Sequence, residues 1–320
     1  MSNVIEVLPN IFQITLPVPF SIGVVHVYLV KGEDLTLIDC GVKDDKSLEI
    51  LETSLNTLNL KISDISRVFI THHHPDHCGG LAYFNPDTEI VGHKFNEPWI
   101  TQETSFLENA RTNFIDEVTR IGVPIEYIGD DDYITDDLNF SSKSQLTRIV
   151  SDGDFVSDFK VHYTPGHASS HIVLLRETDG VLFGGDILLS NVAVTPFIEL
   201  DKDGGRYKSS ILYYESLNKL SELPIKTILP SHGDIITNHN QLINVRIKQF
   251  QKRVKRALDI IKTEGSLTPF ELSLKLFNEA TVKKQFSVTV SEALGHIDYL
   301  ENQGLISMNL VNNKYYVVAN

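Results

Sequence analysis

Two hydrophobic periods divide the chain near residue 240. Upstream of it, short apolar runs stop abruptly at Gly, Pro, His or Asp: Ser66 to Ile70, Glu89 to Gly92, Phe159 to Tyr163, the run ending Leu182-Phe183-Gly184-Gly185-Asp186, and Thr227 to Leu229. Runs of this length bounded by turn residues predict strands followed by tight turns. Thr104 to Gly122 predicts a helix, and Gly79-Gly80-Leu81-Ala82-Tyr83-Phe84 opens another. Downstream the period lengthens. Ile243, Ile247, Phe250, Val254, Leu258 and Ile261 recur at steps of three or four and mark one stripe of a long helix, which Gly265 stops. Thr268-Pro269-Phe270-Glu271 is a capping box with Pro at the first helical position. Val290, Leu294, Ile297 and Leu300 mark a third helix ended by Gly304, and Leu305 to Val318 alternates about the turn pair Asn312-Asn313. Three helices and a hairpin predict a small winged-helix domain over 240–320, behind a larger domain over 1–239.

Composition agrees with two domains. A chain of 320 residues, 42% hydrophobic, buries a sizeable core and has room for one large unit and a small one. Two cysteines, Cys40 and Cys78, make no disulfide framework and point to a reducing compartment. Met1 to Asn10 lacks a basic segment followed by an apolar run, and no apolar stretch approaches membrane-spanning length. The expectation is a cytoplasmic protein without a membrane partner.

The net charge of −14 is uneven: Val245 to Asn320 holds 11 Lys+Arg against 7 Asp+Glu, which leaves 17 against 35 for the rest. Part of the acidic excess is Asp130-Asp131-Asp132 and Asp136-Asp137, inside a polar stretch from Gly129 to Lys143. That stretch reads as a solvated, mobile loop. Its place between the helix ending at Gly122 and the strand before His167 also suits a lid.

The densest chemistry is Thr71-His72-His73-His74-Pro75-Asp76-His77, an H-x-H-x-D-H pattern directly after a predicted strand. Three imidazoles and a carboxylate on one compact loop can hold two divalent metals side by side. Imidazole suits Zn, Fe and Mn, and a carboxylate extends the range toward harder ions. Three further strand ends carry the same chemical classes: His167 in Thr164-Pro165-Gly166-His167, Asp186 after Gly184-Gly185, and His232 in Pro230-Ser231-His232-Gly233. Four such groups in this order point to a metal centre at the C-terminal ends of strands.

These motifs, together with Leu37-Ile38-Asp39-Cys40-Gly41, resemble the metallo-β-lactamase superfamily of metal-dependent hydrolases over residues 5–240. The resemblance implies an α/β fold, an αββα sandwich with the metals at one edge between two mixed sheets. By motif, His72, His74 and His167 would hold the first metal, and Asp76, His77 and His232 the second. Asp186 would bridge them, and Asp39 would lie beneath, fixing imidazole orientation. Two metals about 3.5–4 Å apart can share one water and bring its pKa toward ~7, so no Ser or Cys nucleophile is required. Zinc heads the metals such a shell accepts, with iron and manganese as alternatives. Asp76 and Asp186 are the residues on which catalysis should depend. Among the remaining candidates, His73 should face solvent and His93 should be structural. His171 should either buttress the site, touch substrate or be satisfied by backbone as a strand-start residue. His26 has no supported role, and Cys78 should be a small filler.

The pairing with a winged helix, and Pro17-Val18-Pro19-Phe20 ahead of Val27-Tyr28-Leu29-Val30, resembles the lactamase-β-2-like branch. That branch includes endoribonucleases acting on single-stranded RNA, and the same core motifs occur in thioesterases of the glyoxalase II kind. Fold and ligands therefore leave the substrate open. Three functions follow: hydrolysis of a small ester, thioester or lactone; endoribonuclease action on RNA; and a non-catalytic regulator that senses through the metal pocket. The acidic larger domain favours the first, because its field repels a polyphosphate. The bridging Asp186 belongs to the thioesterase and nuclease pattern, so a β-lactam is not favoured. The second draws on Lys248, Lys252, Arg253, Lys255 and Arg256, but Val288 to Gln303 carries Glu292, Asp298 and Glu301 and no Lys or Arg. The winged helix is thus expected to serve packing or a homodimer contact.

Overall fold

A computed structural model describes residues 3–124, 127, 138–200 and 205–320. Among them the first sheet has seven strands in chain order: β1 (Val4–Leu8), β2 (Ile11–Pro17), β3 (Val24–Lys31), β4 (Leu35–Ile38), β5 (Arg67–Ile70), β6 (Glu89–His93) and β7 (Arg148–Val150). β1 to β4 pair antiparallel, and β4 to β7 pair parallel. Parallel neighbours need crossovers, and α1 (Asp45–Thr57) supplies the one from β4 to β5. The four-residue α2 (Pro75–Cys78) follows β5, while α3 (Glu97–Thr101) and α4 (Thr104–Arg120) follow β6.

The second sheet holds β8 (Phe155–Val156), β9 (Phe159–Tyr163), β10 (Ile172–Arg176), β11 (Val181–Gly185) and β12 (Thr227–Pro230), in the order β12-β11-β10-β9-β8. β11 and β12 are parallel and are joined through α5 (Ser209–Glu222). Four layers result. Tyr28, Phe69 and Val91 of the first sheet meet Phe159, Phe183 and Leu229 of the second, with Phe69 and Phe159 edge to face at 5.6 Å. Val68 and Ile70, on the other face of β5, pack in the layer of Leu51 and Leu55 from α1. Tyr213, Leu217 and Leu220 of α5 cover Leu175, Leu182 and Ile228. Both faces of β5 are therefore buried, which is why its sequence runs apolar without alternation.

The run Gly79 to Phe84 does not open a regular helix. The α-helical turn lies within the histidine motif, as α2, and Gly79–Tyr83 continues as a 3-10 turn. Close packing is the reason for the glycine: a Cβ at Gly79 would sit 2.2 Å from the Phe140 carbonyl oxygen.

After β12 come α6 (His239–Glu264), α7 (Pro269–Leu276), α8 (Glu279–Lys284), α9 (Phe286–Asn302) and a hairpin of β13 (Ile306–Val311) and β14 (Lys314–Ala319). The stripe of α6 buries Ile243, Phe250, Val254, Ala257 and Ile261, while Ile247 and Leu258 lie at its margin. Gly265 ends the helix at φ +79°. Asn312 and Asn313 both take left-handed backbone, at φ 50° and 62°, as a two-residue hairpin turn of this twist requires. The structure adds a fourth helix, α8, too short to show a period and capped by Asn278.

The predicted cap of α7 is present. Glu271 N–H donates to Thr268 Oγ1 at 3.2 Å, and Thr268 N–H donates back to Glu271 Oε2 at 2.7 Å. Thr268→Ala should cost about 1 kcal/mol, read as a lower urea midpoint with an unchanged slope. Among the described residues no helix is long and apolar enough to cross a membrane.

Candidate metal centre

β4 and β5 run parallel side by side, so Asp39 and Thr71 emerge at the same edge of the sheet. Asp39 adopts φ +59°, a turn that aims its carboxylate beneath the histidine loop. Thr71 N–H donates to Asp39 Oδ1 at 2.8 Å, and Thr71 Oγ–H donates to Oδ2 at 2.8 Å. His77 Nδ1 also lies 2.8 Å from Oδ2. One buried carboxylate thus fixes both the start of the loop and the ring at its end. The remaining groups arrive from the second sheet, with His167 after β9, Asp186 after β11 and His232 after β12. Gly166 permits the first of these turns, at φ +136°, where a Cβ would sit 2.3 Å from Tyr213 Cα.

Two clusters form side by side. In one, His72, His74 and His167 bring ligand atoms within 4.8 Å of one another, with His72 Nε2 and His74 Nδ1 only 3.0 Å apart. In the other, Asp76 Oδ1 is 3.6 Å from His77 Nε2, and Asp76 Oδ2 is 3.3 Å from His232 Nε2. Asp186 stands between them. Its Oδ2 is 3.5 Å from His167 Nε2, 3.4 Å from His232 Nε2 and 3.7 Å from His77 Nε2. All seven sequence candidates converge.

The outer nitrogens are committed elsewhere. His167 Nδ1 donates to the Thr195 carbonyl at 2.9 Å and His232 Nδ1 to the Val24 carbonyl at 2.7 Å, which turns both Nε2 atoms inward. His77 Nε2, His167 Nε2 and Asp186 Oδ1 are buried without a hydrogen-bond partner. Orphaned polar atoms of this kind, set among clustered His and Asp side chains, fit metal binding. The electrostatics fit as well. Burial and neighbouring rings hold His72 and His74 well below the usual imidazole range, in the neutral form that ligates. Burial opposes charge on His232 too, yet Asp186 and Asp76 raise it to about 11. The carboxylates thus draw positive charge into this space.

Asn tolerates the left-handed backbone of Asp39, so Asp39→Asn keeps the turn but removes the charge behind His77 and sets an amide NH2 against donors that the carboxylate accepts from Thr71 or His77. It should lower metal affinity or activity about 10–100-fold, checked by competition with a chelating dye. An affinity equal to wild type would show that Asp39 does not orient the ring.

The other candidates resolve differently. His171 is a buttress: its Nε2 accepts the Asp186 N–H at 3.0 Å, and its Nδ1 lies 2.9 Å from Thr164 Oγ1. His73 does not face solvent. It is buried, stacks flat on Trp99 at 4.8 Å, and places Nδ1 2.8 Å from Ser170 Oγ. Its ring turns toward Trp99 and Ser170 rather than outward. Its Nε2 is 3.9 Å from Glu199 Oε1, and burial pushes the Glu199 carboxyl up to about 7. No local pattern marks Trp99 or Glu199, because both reach this wall through tertiary packing alone. His93 stacks on Tyr163 at 4.4 Å, a structural contact. His26 N–H donates to the Ser231 carbonyl at 2.7 Å and so supports the turn before His232. Cys78 is buried and donates from Sγ to the His73 carbonyl at 3.1 Å. Of the acidic stretch, Asp130 to Asp132, Asp136 and Asp137 lie outside the described residues, while Ser142 is buried against Gly79.

Residues 21–232 match the family model described as the metallo-beta-lactamase superfamily. The chain belongs to that superfamily. A probable metallo-hydrolase of Bacillus subtilis (strain 168), YqjP, is 37% identical over 96% of this chain and 97% of its own length. The superfamily relation extends to an atrochrysone carboxyl ACP thioesterase of Aspergillus fumigatus, 25% identical over 61% of this chain and 46% of that protein. Among solved structures, a metallo-beta-lactamase family protein of Thermus thermophilus, TTHA1429, shares the fold with a TM-score of 0.82. It is 24% identical, over 98% of this chain and all of that one. As a superfamily member with these relatives and these His/Asp clusters, the chain is a metal-dependent hydrolase.

Proposed function

We propose that the site is dinuclear and cleaves a small ester, thioester or lactone. His72, His74 and His167 would hold one ion, Asp76, His77 and His232 the other, and Asp186 would bridge them. The observation that carries this reading is the reach of Asp186 Oδ2 to a nitrogen of each cluster, at 3.4 and 3.5 Å. When bound, a divalent pair supplies Lewis acidity and water of lowered pKa. Zinc suits an all-His/Asp shell best, with iron and manganese compatible. The chain's own residues do the rest: Asp39, Thr195 and Val24 orient imidazoles, His171 holds the backbone of Asp186, and apolar walls exclude bulk water.

Acyl transfer to water is favoured over RNA cleavage by the walls beside the metals, which are mostly aliphatic and aromatic. The thioesterase named among the relatives supports the same class. Residues 240–320 are read as a winged helix appended to a hydrolase domain over 1–239. Its α9 is buried against α5, α6 and α7 rather than offered to a nucleic-acid groove. Arg253 of α6 is bound to Glu292 of α9 at 2.6 Å, so part of the basic face is spent internally. A cytoplasmic location fits two buried thiols, and the exposed Leu310 and Val311 of the hairpin would be covered in a homodimer.

Metal-loaded protein assayed on an aryl ester, an acyl thioester and labelled single-stranded RNA tests the reading, with Asp76→Asn run beside it. Wild type should cleave an acyl substrate, leave RNA intact, and lose activity in the variant. Cleavage of RNA by wild type alone, or full activity in Asp76→Asn, would overturn it.

A further inference from the structure

A cavity of about 950 Å³ opens from His74, Asp76, His167, Asp186 and His232 and runs away from them between α4, residues 189–200 and the start of α9. That volume lies at the upper end of what small-ligand sites enclose, far more than the reacting group of an ester needs. Its walls are predominantly apolar, with Ser105, Asn109 and Asn113 of α4 and Ser287 and Ser291 of α9 interspersed. Phe106, Ala110, Phe114 and Val118 follow the helical period along α4 and border this space, with Val118 and Phe114 at the end where α4 joins the core it shares with α9. Phe197 and Ile198 face it from the segment after β11, and Val288 and Val290 close the far end from α9.

Charge is nearly absent beyond the metal ligands. Of the other described lining residues only Glu199 and Lys283 carry a carboxyl or ammonium group, and each is engaged, while burial keeps the His73 ring neutral. Glu199 accepts the Ser169 N–H through both oxygens at 3.0 and 3.1 Å, and Lys283 pairs with Glu279 at 2.7 Å. Among the described residues no arginine lines the space, so a phosphodiester backbone finds no fork of donors along it.

We propose that the substrate carries a long aliphatic acyl group that extends from the metal cluster down this cavity, and that α9 supplies the far wall. The proposal rests on the acyl-hydrolase reading above. It assigns the C-terminal segment a part in substrate selection. That part accounts for its integration with α4: Val118 and Ile121 share one apolar cluster with Phe270, Val290 and Leu294.

The test follows aryl esters from acetate through butyrate and octanoate to decanoate, together with calorimetric binding of decanoate to metal-free protein. For wild type, kcat/KM should climb by up to about fourfold per added methylene until the cavity is filled. Ala110→Trp, narrowing the middle, and Val288→Trp, shortening the end, should each lower the decanoate-to-acetate ratio at least tenfold and weaken decanoate binding in parallel. Circular dichroism of the two variants separates a filled cavity from a misfolded chain. Hydrolysis that ignores chain length, with no decanoate binding, would overturn the proposal and leave the hydrolase reading standing. Decanoate binding that both variants abolish, with no ester cleaved at any length, would support the cavity and refute the hydrolase reading.

Discussion

Replacing Asp186 with Asn should lower kcat/KM on any cleaved ester by on the order of a thousandfold. The substitution is nearly isosteric, and the Asp186 N–H still donates to His171, so the turn after β11 keeps its shape. What is lost is the charge. Asp186 Oδ2 lies within 3.7 Å of three imidazole nitrogens, on a largely buried side chain. An amide would present a neutral oxygen or an N–H there, and either weakens a cation held against it. A metal contact worth several kcal/mol in the transition state is tenfold for each ~1.4 kcal/mol removed. Steady-state kinetics at matched metal loading measures this, and a variant within tenfold of wild type would remove Asp186 from the centre.

The second large effect concerns stability. Arg206 is almost wholly buried, with Nη2 donating to Asp298 Oδ1 at 2.6 Å, Nη1 to Asp298 Oδ2, and Nε to Glu117 Oε1 at 3.1 Å. It ties α4, through Glu117, to α9, through Asp298. Arg206→Ala should cost about 3–5 kcal/mol, because two buried carboxylates would be left with only Lys208, 2.8 Å from Asp298, and the more distant Arg120, 3.9 Å from Glu117, to compensate. Replacing Arg206, Glu117 and Asp298 together by apolar residues of similar volume should cost much less, since the loss comes from stranded charge rather than from the pair's net worth. Urea unfolding of the single and triple variants decides the matter. A single variant within 1 kcal/mol of wild type would show that the network does not join the two helices.

Much of the metal centre is legible locally. Each candidate ligand follows a short buried strand, and a buried strand announces itself by an apolar run ending at Gly or Pro. The order of these runs therefore suffices to place His167, Asp186 and His232 at one sheet edge. Asp39 is visible in Leu37-Ile38-Asp39-Cys40-Gly41, although its left-handed backbone is not. The limit is reached where meaning depends on residues far apart in sequence. His73 meets Ser170 across 97 positions and stacks on Trp99, so no window around the motif can show that it is buried. Glu199 carries no motif, and only burial gives its carboxyl an unusual state. The acidic residues of α9 are legible as unsuited to a nucleic-acid groove. Their partners, Arg206 for Asp298 and Arg253 for Glu292, emerge only once the helices are packed.

Metal content bears most directly on the central claim. Chelator-stripped protein titrated with zinc, with bound metal counted by mass spectrometry and activity followed at each point, should bind two ions per chain, with activity restored as the second site fills. Full activity with a single ion bound, or no ion retained by the folded chain, would contradict the dinuclear centre.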